Sequence, residues 1–327
     1  PMLRLLQGDV GSGKTLVALM ALLNAVEAGK QGAMLAPTEI LARQHFATLQ
    51  KMLIGLPVTI AILTGREKGR ARESTLMGLA DGSIDILVGT HAIFQEAVQY
   101  KALALAVIDE QHRFGVAQRM MLAAKAERTP HLLVMTATPI PRTLTLTYYG
   151  EMDVSRLDEM PPGRQPIETR VLSAERVDEV IEALGRHIAA GAVMDGFSRN
   201  LTKVLVATTV IEVGVDVPNA TLMIIEGADR FGLAQLHQLR GRVGRGDKAS
   251  ICLLLRGNAL SETSRARLAL MRETNDGFRI AEEDLRLRGA GELLGTRQSG
   301  EAQLRLATPE HLADLIDSAR DDARLLI

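Results

Sequence analysis

The chain has 327 residues, 46% of them apolar, which is enough for two domains with proper cores and excludes a disordered polypeptide. A single cysteine, Cys252, excludes an internal disulfide framework and suits a reducing cytoplasm, and no apolar run has the length of a membrane span or the pattern of a signal peptide. The formal net charge of -1 carries no global basic signature of nucleic-acid binding, although a local stripe would suffice; with aromatics at 3% and no Trp, base stacking on aromatic platforms is not expected.

An apolar strand, Met2–Leu6, follows Pro1 directly. With no room for a start methionine, the chain reads as a fragment or the ordered part of something longer. Next comes Gly8-Asp9-Val10-Gly11-Ser12-Gly13-Lys14-Thr15, the spacing G-x-x-x-x-G-K-[ST] of a phosphate-binding loop. A helical pattern with Leu16, Leu19, Met20 and Leu23 on one side follows it. Strand, glycine loop and helix in that order are the context the motif needs. Backbone N–H groups from Gly8 to Gly13 can close around phosphates, and the helix N-terminus adds its positive end. Lys14 is expected to reach the β- and γ-phosphates, and the Thr15 hydroxyl to hold Mg²⁺.

Up to about residue 150, short apolar runs alternate with helical patterns. The expected strands after the first are Ala33–Ala36, Val58–Leu63, Asp85–Val88, Leu103–Ile108 and His131–Met135, and Glu39–Met52 is an expected helix. Continuous apolar strands are those buried on both faces of a parallel sheet, so the pattern predicts a doubly wound α/β domain. Ligands then sit beyond the carboxyl ends of the strands, where each motif begins. Thr38, after Ala36-Pro37, and Thr90, after Gly89, stand at two such ends. Ordinary helix capping and a grip on nucleic-acid phosphates are equally open for both.

Val107-Ile108-Asp109-Glu110-Gln111-His112 ends an apolar strand on two acids. Alone this is a solvated turn. Paired with the glycine loop, it places Asp109 as a Mg²⁺ ligand and Glu110 as the base for an attacking water. The seven histidines show no metal-ligand spacing, so His112 has a coupling or packing role. Thr136-Ala137-Thr138-Pro139 closes another strand, and its hydroxyls could link the nucleotide site to a moving part.

Asp158-Glu-Met-Pro-Pro-Gly-Arg-Gln-Pro166 is the clearest boundary in the chain, because prolines and glycine break regular structure. A strand at Thr169–Leu172 and a helix carrying Val177, Val180, Ile181, Leu184 and Ile188 follow. Further strands are expected at Val204–Ala207, Leu222–Ile225 and Ile251–Leu255, which is few for a domain with one core. The join at Gly191-Ala192 suggests that several dozen residues are absent there. Gln235 to Arg245 holds Arg240, Arg242 and Arg245 among Gly241 and Gly244. Three such arginines are expected to meet an anion, and arginine fingers stabilise a γ-phosphoryl group. From Asn258 the pattern is helical and rich in arginine. A helix capped by Ser261 runs to Glu273, and Asp276-Gly277 is read as a turn. A second helix spans Ile280 to Arg288, a glycine-rich loop spans Gly289 to Gly300, and a last helix is capped by Thr308.

The segments Gly8–Thr15, Asp109–His112, Thr136–Thr138, Ala207–Asp216 and Gln238–Arg245 resemble the ordered motif set of superfamily 2 helicases. Asp109 to Val116, Thr136 to Thr143 and Asp158–Pro166 are more closely similar to the RecG family of bacterial branched-DNA helicases. The transcription-repair coupling factors are the nearest relatives sharing the set. The resemblance covers nearly the whole chain. It implies two RecA-like domains in tandem, 1–157 and 158–257, with ATP and Mg²⁺ in the cleft between them. A helical translocation motif, 258–327, follows. It also implies catalytic roles for Glu110, Gln238, Arg242 and Arg245 and a nucleotide contact for Asp216. Coupling or DNA roles fall to Thr38, Thr90, His112, Thr136, Thr138, Thr208 and Thr209. In the hairpin and its loop they fall to Arg286, Arg288, Arg297 and Gln298. The implied partners are branched and duplex DNA, through phosphates, and single-strand DNA-binding protein. The implied location is the bacterial cytoplasm, at the nucleoid. Two departures stand out: the family's N-terminal wedge domain is not in these residues, and the opening of the second motor domain is expected to be missing near Gly191. A coupling-factor translocase and an ATP-switched binding module without turnover are the competing readings. The hydrolytic residues Glu110, Arg242 and Arg245 argue against the switch.

Overall fold

The computed structural model describes residues 1–95, 97–109, 129–137, 152–159, 165–176, 205, 220–244 and 248–288. The chain divides into two compact units, one holding Pro1–Gly8, Ser12–Ala137 and Met152–Glu159, the other the rest.

The first unit is built on seven strands: β1 Leu3–Gly8, β2 Gln31–Leu35, β3 Ile60–Leu63, β4 Ile86–Gly89, β5 Leu103–Asp109, β6 His131–Thr136 and β7 Asp153–Leu157. They form one sheet in the order β3-β4-β2-β5-β6-β1-β7, and every pairing is parallel. Helices α1 Lys14–Glu27, α2 Glu39–Met52 and α3 Gly69–Asp81 follow β1, β2 and β3. A central parallel strand is covered on both faces, which is why β2 is buried along its whole length. Gln31 at its start is buried too: its amide donates to the carbonyls of Leu79 and Ile84 at 3.0 and 2.8 Å and accepts from the Ala102 N–H. These hydrogen bonds matter, since leaving a buried polar group without a partner costs about 1–3 kcal/mol, more than one bond gains.

The face of α1 differs from expectation. Ala18, Leu19 and Leu22 are buried in the core, whereas Leu16 and Met20 are 52% and 59% exposed. A two-residue offset turns a helix by about 200°, so the face through Leu16 and Met20 points away from the one that packs. β7 is an addition that periodicity did not reveal. Its sequence, Asp153-Val-Ser-Arg-Leu157, is mostly exposed, as suits an edge strand paired only with β1.

In the second unit the described strands are β8 Glu168–Ser173, β9 Leu222–Ile225 and β10 Ile251–Arg256, a parallel sheet in the order β8-β10-β9. Helices α4 Leu233–Arg240, α5 Glu262–Glu273 and α6 Gly277–Arg288 complete the described part. Leu233, Leu236, Cys252, Leu254, Leu268, Met271 and Ile280 share one core, so the helical pair α5–α6 packs into the same body as the sheet. Ser261 caps α5, accepting from the Ser264 N–H at 3.1 Å. The second helix of the pair starts at Gly277 instead of Ile280. Asp276 is a cap there, not merely a turn residue: its carboxylate accepts from the Phe278 N–H at 2.8 Å, which offsets the poor helix propensity of Gly277. The expected strand at 204–207, the helix from Val177, the Gly191 join and the helix at Thr308 lie outside the described residues, Leu205 excepted.

Candidate nucleotide-binding site

The glycine loop leaves β1 at the carboxyl edge of the sheet. Gly11 and Gly13 have φ of 83° and 90°, a backbone state that side chains with a Cβ rarely adopt. A Cβ on Gly8 would run into the Ser12 hydroxyl and lie 3.0 Å from the Leu157 side chain. The motif therefore needs its glycines to make the turn and to let the loop fold back on the strand. Lys14 is buried, and its ammonium donates to the Gly8 carbonyl at 2.7 Å, closing the loop on itself. The Asp9 carboxylate accepts from the Val10 N–H at 2.6 Å. Thr15 lies in the first turn of α1.

Two observations test whether a polyphosphate fits here. The Ser12 hydroxyl is buried with no hydrogen-bond partner among the described residues, and a buried polar atom of that kind calls for a ligand or water. The loop also lies at a helix N-terminus, where the dipole favours an anion. The residues present fit a nucleotide's phosphates.

The acid lies on the same edge. Asp109 ends β5 and is level with Met135 of β6, which is itself level with Leu6 of β1. Asp109 is thus two strand spacings, about 10 Å, from the strand that carries the loop. The Thr15 hydroxyl and the Asp109 carboxylate are hard oxygen donors, as Mg²⁺ prefers. Asp109 Oδ2 also lies 2.7 Å from His45 Nε2 on α2, a contact that no motif or spacing pointed to. Thr136 follows on the edge, buried at the end of β6 and paired with Gln7. Thr38 caps α2, its hydroxyl accepting from the Leu41 N–H at 3.3 Å. Thr90 precedes a single 3-10 turn, His91–Phe94.

In the second unit Gln238 lies in α4 and Arg242 just past its end, both half-buried. Gly244 has φ 71°, and a Cβ there would come within 2.9 Å of Ile167, so the last turn of this motif also requires glycine. Arg240 departs from the expectation that it meets an anion. It is 2% exposed, and its guanidinium donates to the carbonyls of Met271 and Thr274, both at 2.8 Å. Those carbonyls end α5, where the helix dipole is negative, and a fixed cation is favoured there. Arg286 is exposed on α6 and paired with Glu283 at 2.8 Å, and Arg288 ends that helix. Glu110, His112, Thr138, Thr208, Thr209, Asp216, Arg245, Arg297 and Gln298 lie outside the described residues.

An all-parallel sheet with a glycine loop between its first strand and first helix places the protein in the RecA-like, P-loop class. Family models agree on the class: "DEAD/DEAH box helicase" matches residues 4–147 and "Helicase conserved C-terminal domain" residues 181–247. A third, "ATP-dependent DNA helicase RecG, domain 3, C-terminal", matches 274–327. The chain belongs to the RecG family. It is 46% identical to the ATP-dependent DNA helicase RecG of Pasteurella multocida, covering 100% of this chain and 55% of that protein. The RecG of Bacillus subtilis is 45% identical, covering 99% of this chain and 55% of that one. The chain thus spans about half the length of the curated relatives it matches. A solved RecG bound to a three-way DNA junction superposes with a TM-score of 0.78 at 39% identity, over 97% of this chain and 48% of that one. The fold alone is shared with the Mycobacterium smegmatis helicase Lhr, at 16% identity and a TM-score of 0.57, over 86% of this chain and 46% of that one. No helix among the described residues is long and apolar enough to cross a membrane.

Proposed function

We propose that this chain is the motor portion of an ATP-dependent DNA helicase, a duplex translocase that remodels branched DNA such as stalled forks and Holliday junctions. The observation that carries this reading is the glycine loop closed by Lys14 on the sheet edge that also bears Asp109. The RecG solved on a three-way junction supports branched DNA as the substrate.

Bound ATP with Mg²⁺ supplies a γ-phosphoryl group for transfer to water. Backbone N–H groups from Gly8 to Gly13 hold its phosphates, and Lys14 exchanges the Gly8 carbonyl for a phosphate oxygen. Thr15 and Asp109 hold the cation, and Asp216 contributes to nucleotide binding. Glu110, next to Asp109, takes the proton of the attacking water. Gln238 orients it, and Arg242 and Arg245 offset the charge that develops. Thr38 can cap its helix and grip DNA at once: the hydroxyl oxygen accepts from Leu41, while its hydrogen is available to a phosphate. Thr90, Thr136, Thr138, Thr208, Thr209 and His112 couple the two events. Arg286, Arg288, Arg297 and Gln298 carry the pull to the duplex. Single-strand DNA-binding protein is a further partner, and the bacterial cytoplasm, at the nucleoid, the location. The alignment with the Pasteurella relative runs over 381 positions against 327 residues here, which supports the absence of several dozen residues relative to it, placed by the sequence pattern at Gly191-Ala192.

Phosphate release measured with and without a three-way junction tests this. The chain should hydrolyse ATP faster with the junction, and Lys14→Ala should abolish turnover. Hydrolysis indifferent to DNA, or retained in Lys14→Ala, would refute the reading.

A further inference from the structure

The contact between His45 and Asp109 has no place in the machinery above. His45 Nε2 lies 2.7 Å from Asp109 Oδ2, and the two side chains are only 13% and 12% exposed. A carboxylate can only accept, so the imidazole must carry its hydrogen on Nε2 and donate it. A carboxylate held through one oxygen keeps the other for a cation. The histidine is itself held firmly. It lies on the inward side of α2 between Ala42 and Leu49, both fully buried. Thr38 caps the same helix two turns earlier, and the helix springs from β2, which pairs with β5.

We propose that His45 is a positioning residue. It fixes the Asp109 carboxylate for the metal and ties that carboxylate to α2, so that DNA phosphates met at Thr38 bear on the acid through one rigid helix. The link rests on the function proposed above, in which Asp109 holds Mg²⁺ and Thr38 meets DNA. Carboxylate ligands are oriented by such outer partners, and their loss costs about 10–100-fold in metal affinity or activity.

The test compares His45→Leu, which fills the space without a donor, with His45→Gln, which restores an N–H at similar reach. Binding of a fluorescent ATP analogue is measured across a Mg²⁺ titration, and phosphate release with and without a three-way junction. His45→Leu should bind the analogue like wild type without Mg²⁺ and require about 10-fold more Mg²⁺ or beyond for its effect on binding. It should also lose most of the stimulation by DNA, and His45→Gln should recover both. Unaltered Mg²⁺ dependence in His45→Leu, in a protein whose thermal unfolding matches wild type, would overturn the proposal. So would Mg²⁺ dependence equally impaired in both variants. If wild type showed no hydrolysis, the functional reading would fail by itself, while the Mg²⁺ titration would still decide the role of His45.

Discussion

Cys252 is fully buried in β10, and burial pushes its thiol from 9.0 up to about 12, against the opposing pull of the Arg240 guanidinium. Between those values the folded chain keeps a proton that the unfolded chain has released. The thiol's contribution to stability is therefore complete below about pH 9 and is lost as pH rises toward about 12. Urea midpoints followed through that window should fall more steeply for wild type than for Cys252→Ala, and parallel falls would exclude the thiol as the cause. In the proposed role of Glu110, Glu110→Gln removes a base but no phosphate contact, so nucleotide should still bind while turnover disappears; persisting turnover would assign the base elsewhere. Arg245→Ala should lower the rate by ~10³–10⁵ with little change in affinity, and a variant that lost binding instead would not be a finger.

At the scale of elements, two helices show how packing is distributed. Leu22 and Met20 sit two residues apart on α1, one fully buried and one 59% exposed. Leu22→Ala should cost about 2–5 kcal/mol in chemical denaturation, and Met20→Ala less than about 0.5 kcal/mol. Comparable losses would mean that the helix presents a different face. In the second unit, Arg240 joins the end of α4 to the end of α5. Arg240→Ala would strand the carbonyls of Met271 and Thr274; the first is buried, and leaving it without a donor should cost about 1–3 kcal/mol, while the half-buried second costs less. Arg240→Lys should recover only part of this, because one ammonium cannot meet these carbonyls and also His237 Nδ1, which lies 3.3 Å from the guanidinium's other nitrogen. Since α4 also carries Gln238, proposed to orient the attacking water, loosening this tie should lower hydrolysis itself, with and without DNA. That is read as phosphate release, both basal and junction-stimulated.

For the whole molecule, a net charge of -1 confines any attraction for DNA to local patches. Binding through phosphates releases counterions, so affinity for a three-way junction should fall log-linearly with salt and depend little on base sequence. A binding constant flat from low to moderate salt would exclude contacts of this kind. The two-domain α/β organisation was legible without coordinates because parallel strands buried on both faces are written as uninterrupted apolar runs. Met34 and Val107 lie in such runs, and both are fully buried. Edge strand β7 carried no such mark, since Asp153 to Leu157 faces solvent along most of its length.

The glycine loop, Asp109 at the end of β5 and the glycines around Arg242 could be read from residue type and spacing alone. Backbone conformation and phosphate chemistry constrain which residues can serve there, and those constraints are local. Which side of α1 packs, that Arg240 meets helix carbonyls and not an anion, and that His45 holds Asp109 were decided by tertiary structure. Each depends on partners between 31 and 64 residues away in the chain or on another element's surface. No short window of sequence contains both sides of such a contact.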